Sequence, residues 1–163
     1  MNAMQVRVIG VILLSISVSL PGFLLNEKLV QRKKYLRFFS DLATRLPLSM
    51  VDGGENIFEI LKRESVGRFR YLALIDSCLI NDRQGLQRLF FEHSIANEDA
   101  REIADFFLGL GFGSSEQQKN HCEIFESRFN GMLKTAEQSA ENNGKLYKIM
   151  SLSLGLIVFI ILI

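Results

Sequence analysis

The residues of this 163-residue chain best able to do chemistry are two histidines, two cysteines and a triplet of closely spaced glycines. A metal site on one helix face needs ligands three or four residues apart. His93 has Phe90 and Asn97 at those distances, and His121 has Cys122 beside it, where adjacent side chains point apart. Ser94 next to His93 would need a third group and a strained turn to act as a nucleophile, and nothing has the form G-x-S-x-G. Cys78 and Cys122 are far apart, without a C-x-x-C, and read as buried thiols of a reducing compartment. Their pairing stays open, because a disulfide needs Cα atoms within about 7 Å. Glu98 with Asp99, and Glu102 with Asp105, read as solvated helix faces. Gly109, Gly111 and Gly113 resemble a fragment of a phosphate-binding loop, but such a loop follows a strand and this one follows a helical pattern. They read instead as a helix C-cap. The expectation is no catalytic, cofactor-binding or metal-binding residue, no cofactor, no small-molecule substrate and no enzyme. With a net charge of +1, nucleic acid is not an expected partner.

The elements that carry the chain are two uncharged runs. Val8 to Leu25 lies at one end and Ile149 to Ile163 at the other. A hydrocarbon core about 30 Å thick takes about 20 apolar residues as a helix. The first run is long enough, and Leu146 and Tyr147 extend the second, with Lys145 and Lys148 placed to snorkel. Between the runs lie about 120 residues, a single-domain size. Lys28, Arg32, Lys33, Lys34 and Arg37 follow the first run against Glu27 alone, and beyond Phe38 the domain is net acidic. Basic residues next to a span stay on the cytoplasmic side, so the domain is expected there and both ends outside. The cluster also suits anionic headgroups, at about 1 kcal/mol per charge; a solvated stop-transfer flank is the plainer reading. A cleaved leader is the rival for the N-terminus, with Arg7, the apolar stretch to Ile16 and a Ser17-Val18-Ser19 site. Against it, apolar character continues to Leu25, and the basic flank is on the wrong side for export.

Every periodic stretch between the runs has helical spacing, so the expected fold is all-α: a single antiparallel helical bundle flanked by two transmembrane helices. Leu36, Phe39, Ala43 and Leu46 form one stripe, ended by Pro47 and then Asp52-Gly53-Gly54. Ile57, Phe58 and Leu61 start a second helix. After Gly67 come Phe69, Leu72, Ile75 and Leu79 as a third, and Asn81-Asp82 marks a stop and a new N-cap before Leu86, Leu89 and Phe90. Asn97 before Glu98 and Asp99 favours another start, with Ala100, Ile103, Phe107 and Leu110 as its inner face. Ser115 with Gln118 makes a capping box, and Ser114 with Gln117 fits equally well. Cys122, Phe125, Phe129, Met132 and Ala136 step by 3, 4, 3 and 4, a seam expected to pack inside the bundle rather than in a partner groove.

The tail carries a signature. Leu110-Gly111 is followed seven positions later by Gln118, then by a long amphipathic helix to Tyr147-Lys148, by Gly155 and by Ile160-Ile161-Leu162-Ile163. This resembles the stage III sporulation protein AB family of endospore-forming bacteria, most specifically from Gly111 to Ile163. Gly22-Phe23, Arg32 and Leu36-Arg37 are similar to its N-terminal pattern. The chain departs from the family where Leu46-Pro47-Leu48-Ser49-Met50-Val51 stands in the region of an acidic E-I-x-Y stretch and a Pro-Leu pair, and where Gly113 or Ser114 replaces the acid of an L-G-x-x-D motif. The resemblance implies a helical domain between two spans, in a secretion-like complex of the mother-cell membrane facing the forespore. It implies likeness to the inner-membrane platform protein of type II secretion and type IV pilus machines. The implied partners are other proteins of the same operon, including a secretion-type ATPase. Platform proteins carry two related helical domains, which leaves self-association open.

The combined expectation is a non-enzymatic scaffold with a first span over 1–25, a cytoplasmic bundle over 26–146 and a second span over 147–163. The basic cluster would sit at the membrane. The hairpin tip at Gly111, Gly113, Ser115 and Gln118 is a candidate partner contact, separated from the second span by about 30 helical residues at about 1.5 Å each. The alternative is a membrane-anchored helical binding or sensor module unrelated to secretion.

Overall fold

The stripe Leu36, Phe39, Ala43 and Leu46 becomes a buried face, each residue 1% exposed or less. It lies on a longer helix than its punctuation predicts. The computed structural model describes residues 3–52, 56–76, 79–111 and 113–162, with the backbone alone at 3–8, 49–52 and 68. In it α1 runs over Ala3–Asp52, so Pro47 does not end the helix. A proline forfeits one backbone bond and crowds the preceding turn. Here the burial of Leu42, Ala43 and Leu46 holds that turn in place. Gly53 and Gly54, the rest of the expected stop, and Cys78 lie outside the described residues.

The short elements follow their caps. α2 is Ile57–Glu64, with Asn56 Oδ1 accepting from the Phe58 N–H at 3.2 Å. The expected third helix is instead a 3₁₀ stretch, Gly67–Leu74, followed by an extended Ile75 and a second 3₁₀ turn, Leu79–Asn81. Apolar residues three apart satisfy a 3₁₀ turn as well as an α-helix, so Phe69, Leu72 and Ile75 do not discriminate. α3 is Arg83–Glu92, and Asp82 caps it through the Gln84 N–H at 3.0 Å, as the sequence implies. α4 is Asn97–Leu108. Its cap position is Ala96, with no side-chain bond, and Asn97 is the first helical residue rather than the cap. α5 is Ser115–Leu162. No strand occurs among the described residues, and the fold is all-α.

The chain forms two compact units, and α1 and α5 each contribute to both. One is Tyr35–Leu133; the other joins residues up to Lys34 with those from Lys134.

Tyr35–Leu133 has a core of rings. Phe39 meets Phe90, Phe107 and Phe129 at centroid distances of 5.9, 6.2 and 6.2 Å, and Phe38 stacks on Phe69 at 3.7 Å. Phe106 packs on Phe125 and Phe129 at 5.5 Å each. The residues Cys122, Phe125 and Phe129 of the α5 seam are therefore turned into the unit, as expected. Burying each such ring contributes about 1.5–3 kcal/mol. Polar ties cross the core: the Tyr35 hydroxyl donates to Asp99, and Ser40 Oγ donates to Asn130 Oδ1 at 2.8 Å.

The other unit is an antiparallel pair. Ser19 of α1 lies beside Gly155 of α5, Gly22 beside Ser151, Asn26 beside Gly144 and Lys33 beside Glu137. As one number rises the other falls, at nearly constant sum.

Candidate functional site

The helix pair is built by the absence of side chains. A Cβ on Gly22 would sit 2.4 Å from Ser151 Cβ and 2.5 Å from the Tyr147 carbonyl oxygen. One on Gly155 would sit 2.1 Å from Ser19 Oγ, and one on Gly144 2.6 Å from Asn26 Oδ1. Small residues let helix backbones approach, which is how helices associate where lipid removes the hydrophobic drive. The serines keep their hydroxyls satisfied on their own helices: Ser15 bonds Val11 O at 2.9 Å, Ser19 bonds Ser15 O at 2.9 Å, and Ser151 bonds Lys148 O at 3.2 Å. Outward, Leu13, Leu14, Leu152, Ile160 and Ile161 are exposed. Both helices are long and apolar enough to cross a membrane, and only 11% of the most apolar window of each is buried. The spacing S-x-x-x-S-x-x-G at Ser15, Ser19 and Gly22, with S-x-x-x-G at Ser151 and Gly155, was the signal that could have found this seam.

The basic cluster is carried on α1. Lys28, Lys34 and Arg37 are exposed, whereas Arg32 and Lys33 are half-buried. Lys33 Nζ lies 3.4 Å from Glu137 Oε1, so part of the cluster ties the pair together.

The hairpin tip takes its shape from three different needs. Gly109 has an ordinary φ of −88° but faces the His121 ring, which an added Cβ would meet at 2.1 Å. Gly111 and Gly113 take φ of +86° and +90°, the left-handed region open to glycine. The capping box is made by Ser114 and Gln117, the second of the two alternatives: Ser114 N–H donates to Gln117 Oε1 at 2.8 Å, and Gln117 N–H to Ser114 Oγ at 3.3 Å. Gln118 is buried and clamps the turn. Its Oε1 accepts from Gly111 N–H at 3.1 Å, and its Nε2 donates to Gly109 O at 3.3 Å. Of the predicted tip residues, Gly111, Gly113 and Ser115 are exposed and Gln118 is structural.

The other reactive residues have structural partners. His121 Nε2 donates to Phe106 O at 2.9 Å and the ring stacks on Phe106, while His93 Nδ1 donates to Leu89 O at 2.8 Å. Ser94, at φ of +65°, ends α3: its N–H reaches Phe91 O at 3.0 Å, and the Ile95 N–H reaches Phe90 O at 3.1 Å. That is the two-bond closure of a helix by a left-handed residue. Burial, with a smaller push from Glu123, raises the Cys122 thiol to about 11, and burial also raises Tyr71. The carboxylates are not all solvated. Asp99 is fully buried on Tyr35, Asp105 holds Arg83 at 2.6 Å and Glu102 holds Arg128 at 3.4 Å. Sequence carries no signal for Asp99, whose partner is 64 residues away. A shallow polar groove between α3 and α4 is lined by Arg83, Gln84, Gln87, Asn97, Glu98 and Arg101.

Residues 83–163 match the family model of Stage III sporulation protein AB. Over that half, the chain belongs to the stage III sporulation protein AB family. The match begins at Arg83, ahead of the Gly111–Ile163 signature, and takes in α3, α4, the tip and all of α5. No curated protein and no solved structure matches the chain. Membership makes this a sporulation protein, with other sporulation proteins as its partners.

Proposed function

We infer that the chain is a non-enzymatic membrane scaffold of a secretion-like complex between mother cell and forespore. The observation that carries this reading is the family match over residues 83–163, a stretch that includes both the hairpin tip and the apolar end of α5. The scaffold presents its helical bundle to the cytoplasm and couples membrane partners to a secretion-type ATPase and to other proteins of the same operon. Its work is positioning. Two anchors restrict the bundle's orientations, so weak contacts with neighbours gain from high effective concentration. The exposed Gly113–Gln117 tip and the α3–α4 groove are the surfaces offered to those neighbours.

Affinity purification of the full chain from sporulating cells tests it. The operon proteins and the ATPase are expected to co-purify. Their absence, with an unrelated membrane protein retained instead, would favour the binding or sensor module. Labelling of Ser65→Cys and Glu116→Cys in intact cells tests the orientation: both should resist a membrane-impermeant reagent until the cells are opened.

A further inference from the structure

The packing of α1 on α5 leaves an apolar groove of about 450 Å³ along one side of the pair. That volume falls within the range of ligand pockets, roughly 300–1,000 Å³. Its walls are Ile12, Ile16, Leu20 and Phe23 of α1 with Leu156 and Phe159 of α5. Ser15, Ser19 and Gly155 form the floor. Both floor serines donate their hydroxyls to their own helix, so the floor offers no free donor. From Ile12 to Phe23 the wall is about 16 Å long at 1.5 Å per residue, a long and narrow shape.

One end of the groove is charged. Lys148 and Lys145 precede Leu152, a groove residue, by four and seven positions. That spacing puts both on the groove's face of α5, one and two turns along. Both are exposed, and neither has an ion pair among the described residues. On α1 the same face continues from Phe23 to Glu27, whose carboxylate is engaged by Gln31 Nε2 at 2.9 Å. The end therefore carries two cations against one anion, beyond an unbroken apolar channel.

We propose that this groove seats one acyl chain of an anionic phospholipid, with the headgroup phosphate held by Lys145 and Lys148. An amphiphile with one negative end and a long apolar tail uses both halves of the site. A zwitterionic lipid leaves the net positive charge unmatched. The proposal rests on the membrane reading of the two apolar helices.

The chain has no tryptophan, so an introduced one is a sole reporter. Phe159→Trp and, independently, Leu20→Trp place it in the groove. Ile161→Trp places it at a site 75% exposed and outside the groove. Each full-length variant is reconstituted in phosphatidylcholine bilayers containing chain-brominated phosphatidylcholine or chain-brominated phosphatidylglycerol. The expected result is equal quenching of Ile161→Trp by the two lipids. Both groove reporters should favour the glycerol lipid by about fivefold or more, and Lys145→Gln with Lys148→Gln should abolish that preference. Equal quenching by both lipids at the groove positions would mean an ordinary lipid annulus and overturn the proposal. So would unquenched groove reporters beside a quenched Ile161→Trp, which would mean that a protein helix covers the groove. An Ile161→Trp untouched by either lipid would remove the membrane reading itself, and the proposal with it.

Discussion

In the unit Tyr35–Leu133, Phe39 meets the rings of Phe90, Phe107 and Phe129 at 5.9 to 6.2 Å. In the pair formed by the other stretches of α1 and α5, Gly22 lies so close to Ser151 that one added carbon would fall 2.4 Å from its neighbour. The first unit gains stability from apolar area removed from water, which large rings supply best. The second exposes its large side chains, such as Leu13, Leu14 and Ile160, and buries glycine and serine. That inversion suits a solvent of hydrocarbon, where a leucine gains little by leaving it and contact depends on close approach. One chain thus holds two packing chemistries, and each has its own way to fail.

The largest expected effect is in the bundle. Phe129 is fully buried, and Phe129→Ala should cost about 3–5 kcal/mol through lost transfer energy and the cavity left behind. Thermal melts of the full chain in detergent would register this as a lowered midpoint for Tyr35–Leu133. An unchanged melt with lost complex assembly would instead make the seam a partner surface. The second effect is in the pair. Gly22→Leu forces a side chain into space held by Ser151 and the Tyr147 carbonyl, at about 1–3 kcal/mol. Disulfide crosslinking of Asn26→Cys with Gly144→Cys, in a chain otherwise free of cysteine, should fall while the bundle melts as before. If both readouts moved together, the two units would not be separable and the contrast would break.

Much of this was legible because the signals are local. The 3- and 4-residue steps of Leu36–Leu46 and of Cys122–Phe129 needed no partner to be read as buried faces, and Asp82 announces α3 by its side-chain chemistry. The misreadings share a cause: a local signal overruled by a distant contact, or two geometries satisfying one signal. Pro47 normally stops a helix, but tertiary burial of Leu42 and Leu46 carries α1 past it. The acidic neighbour Glu98 suggests solvent for Asp99, yet Tyr35 draws it into the core. Ser114 and Ser115 offer equal capping boxes, and the choice falls to Gln118, which is occupied in clamping Gly109 and Gly111. The small-residue seam is present in the sequence as a spacing of serines and glycines, but its partners lie at opposite ends of the chain.

A third test sharpens the contrast through pH. Burial raises the Cys122 thiol from 9 to about 11. Between those values the unfolded chain loses the thiol proton while the folded chain keeps it. The folded state then binds more protons, so stability falls as pH rises. The contribution is fully present below pH 9 and is lost on passing 11. The loss reaches about 3 kcal/mol at most, since each factor of ten in proton affinity is worth roughly 1.4 kcal/mol. Cys122→Ala should flatten that slope of the bundle melt. Cys122 lies in Tyr35–Leu133, so the close packing of Gly22 on Ser151 has no part in that slope, and Gly22→Leu should leave it unchanged.

The smallest effect belongs to an ion pair within the helix pair. Lys33 and Glu137 approach to 3.4 Å, but their side chains are 35% and 33% exposed. At that exposure the attraction is screened, and removing it should cost no more than about 1 kcal/mol. Glu137→Gln should therefore lower the Asn26→Cys and Gly144→Cys crosslinking yield slightly at low salt and not at all at high salt, where screening has already taken the interaction away. A large loss that persists at high salt would mean that charge, rather than the close approach at Gly22 and Gly155, holds the pair. Replacing Arg32, Lys33, Lys34 and Arg37 together by Gln separates this local role from a topological one. If the cluster orients the chain, the crosslink survives in those variants that insert, while the side of the membrane reached by the Ser65→Cys label changes. If the label stays where it was, the four charges do not set the topology, and their role is in local contacts such as that of Lys33 with Glu137.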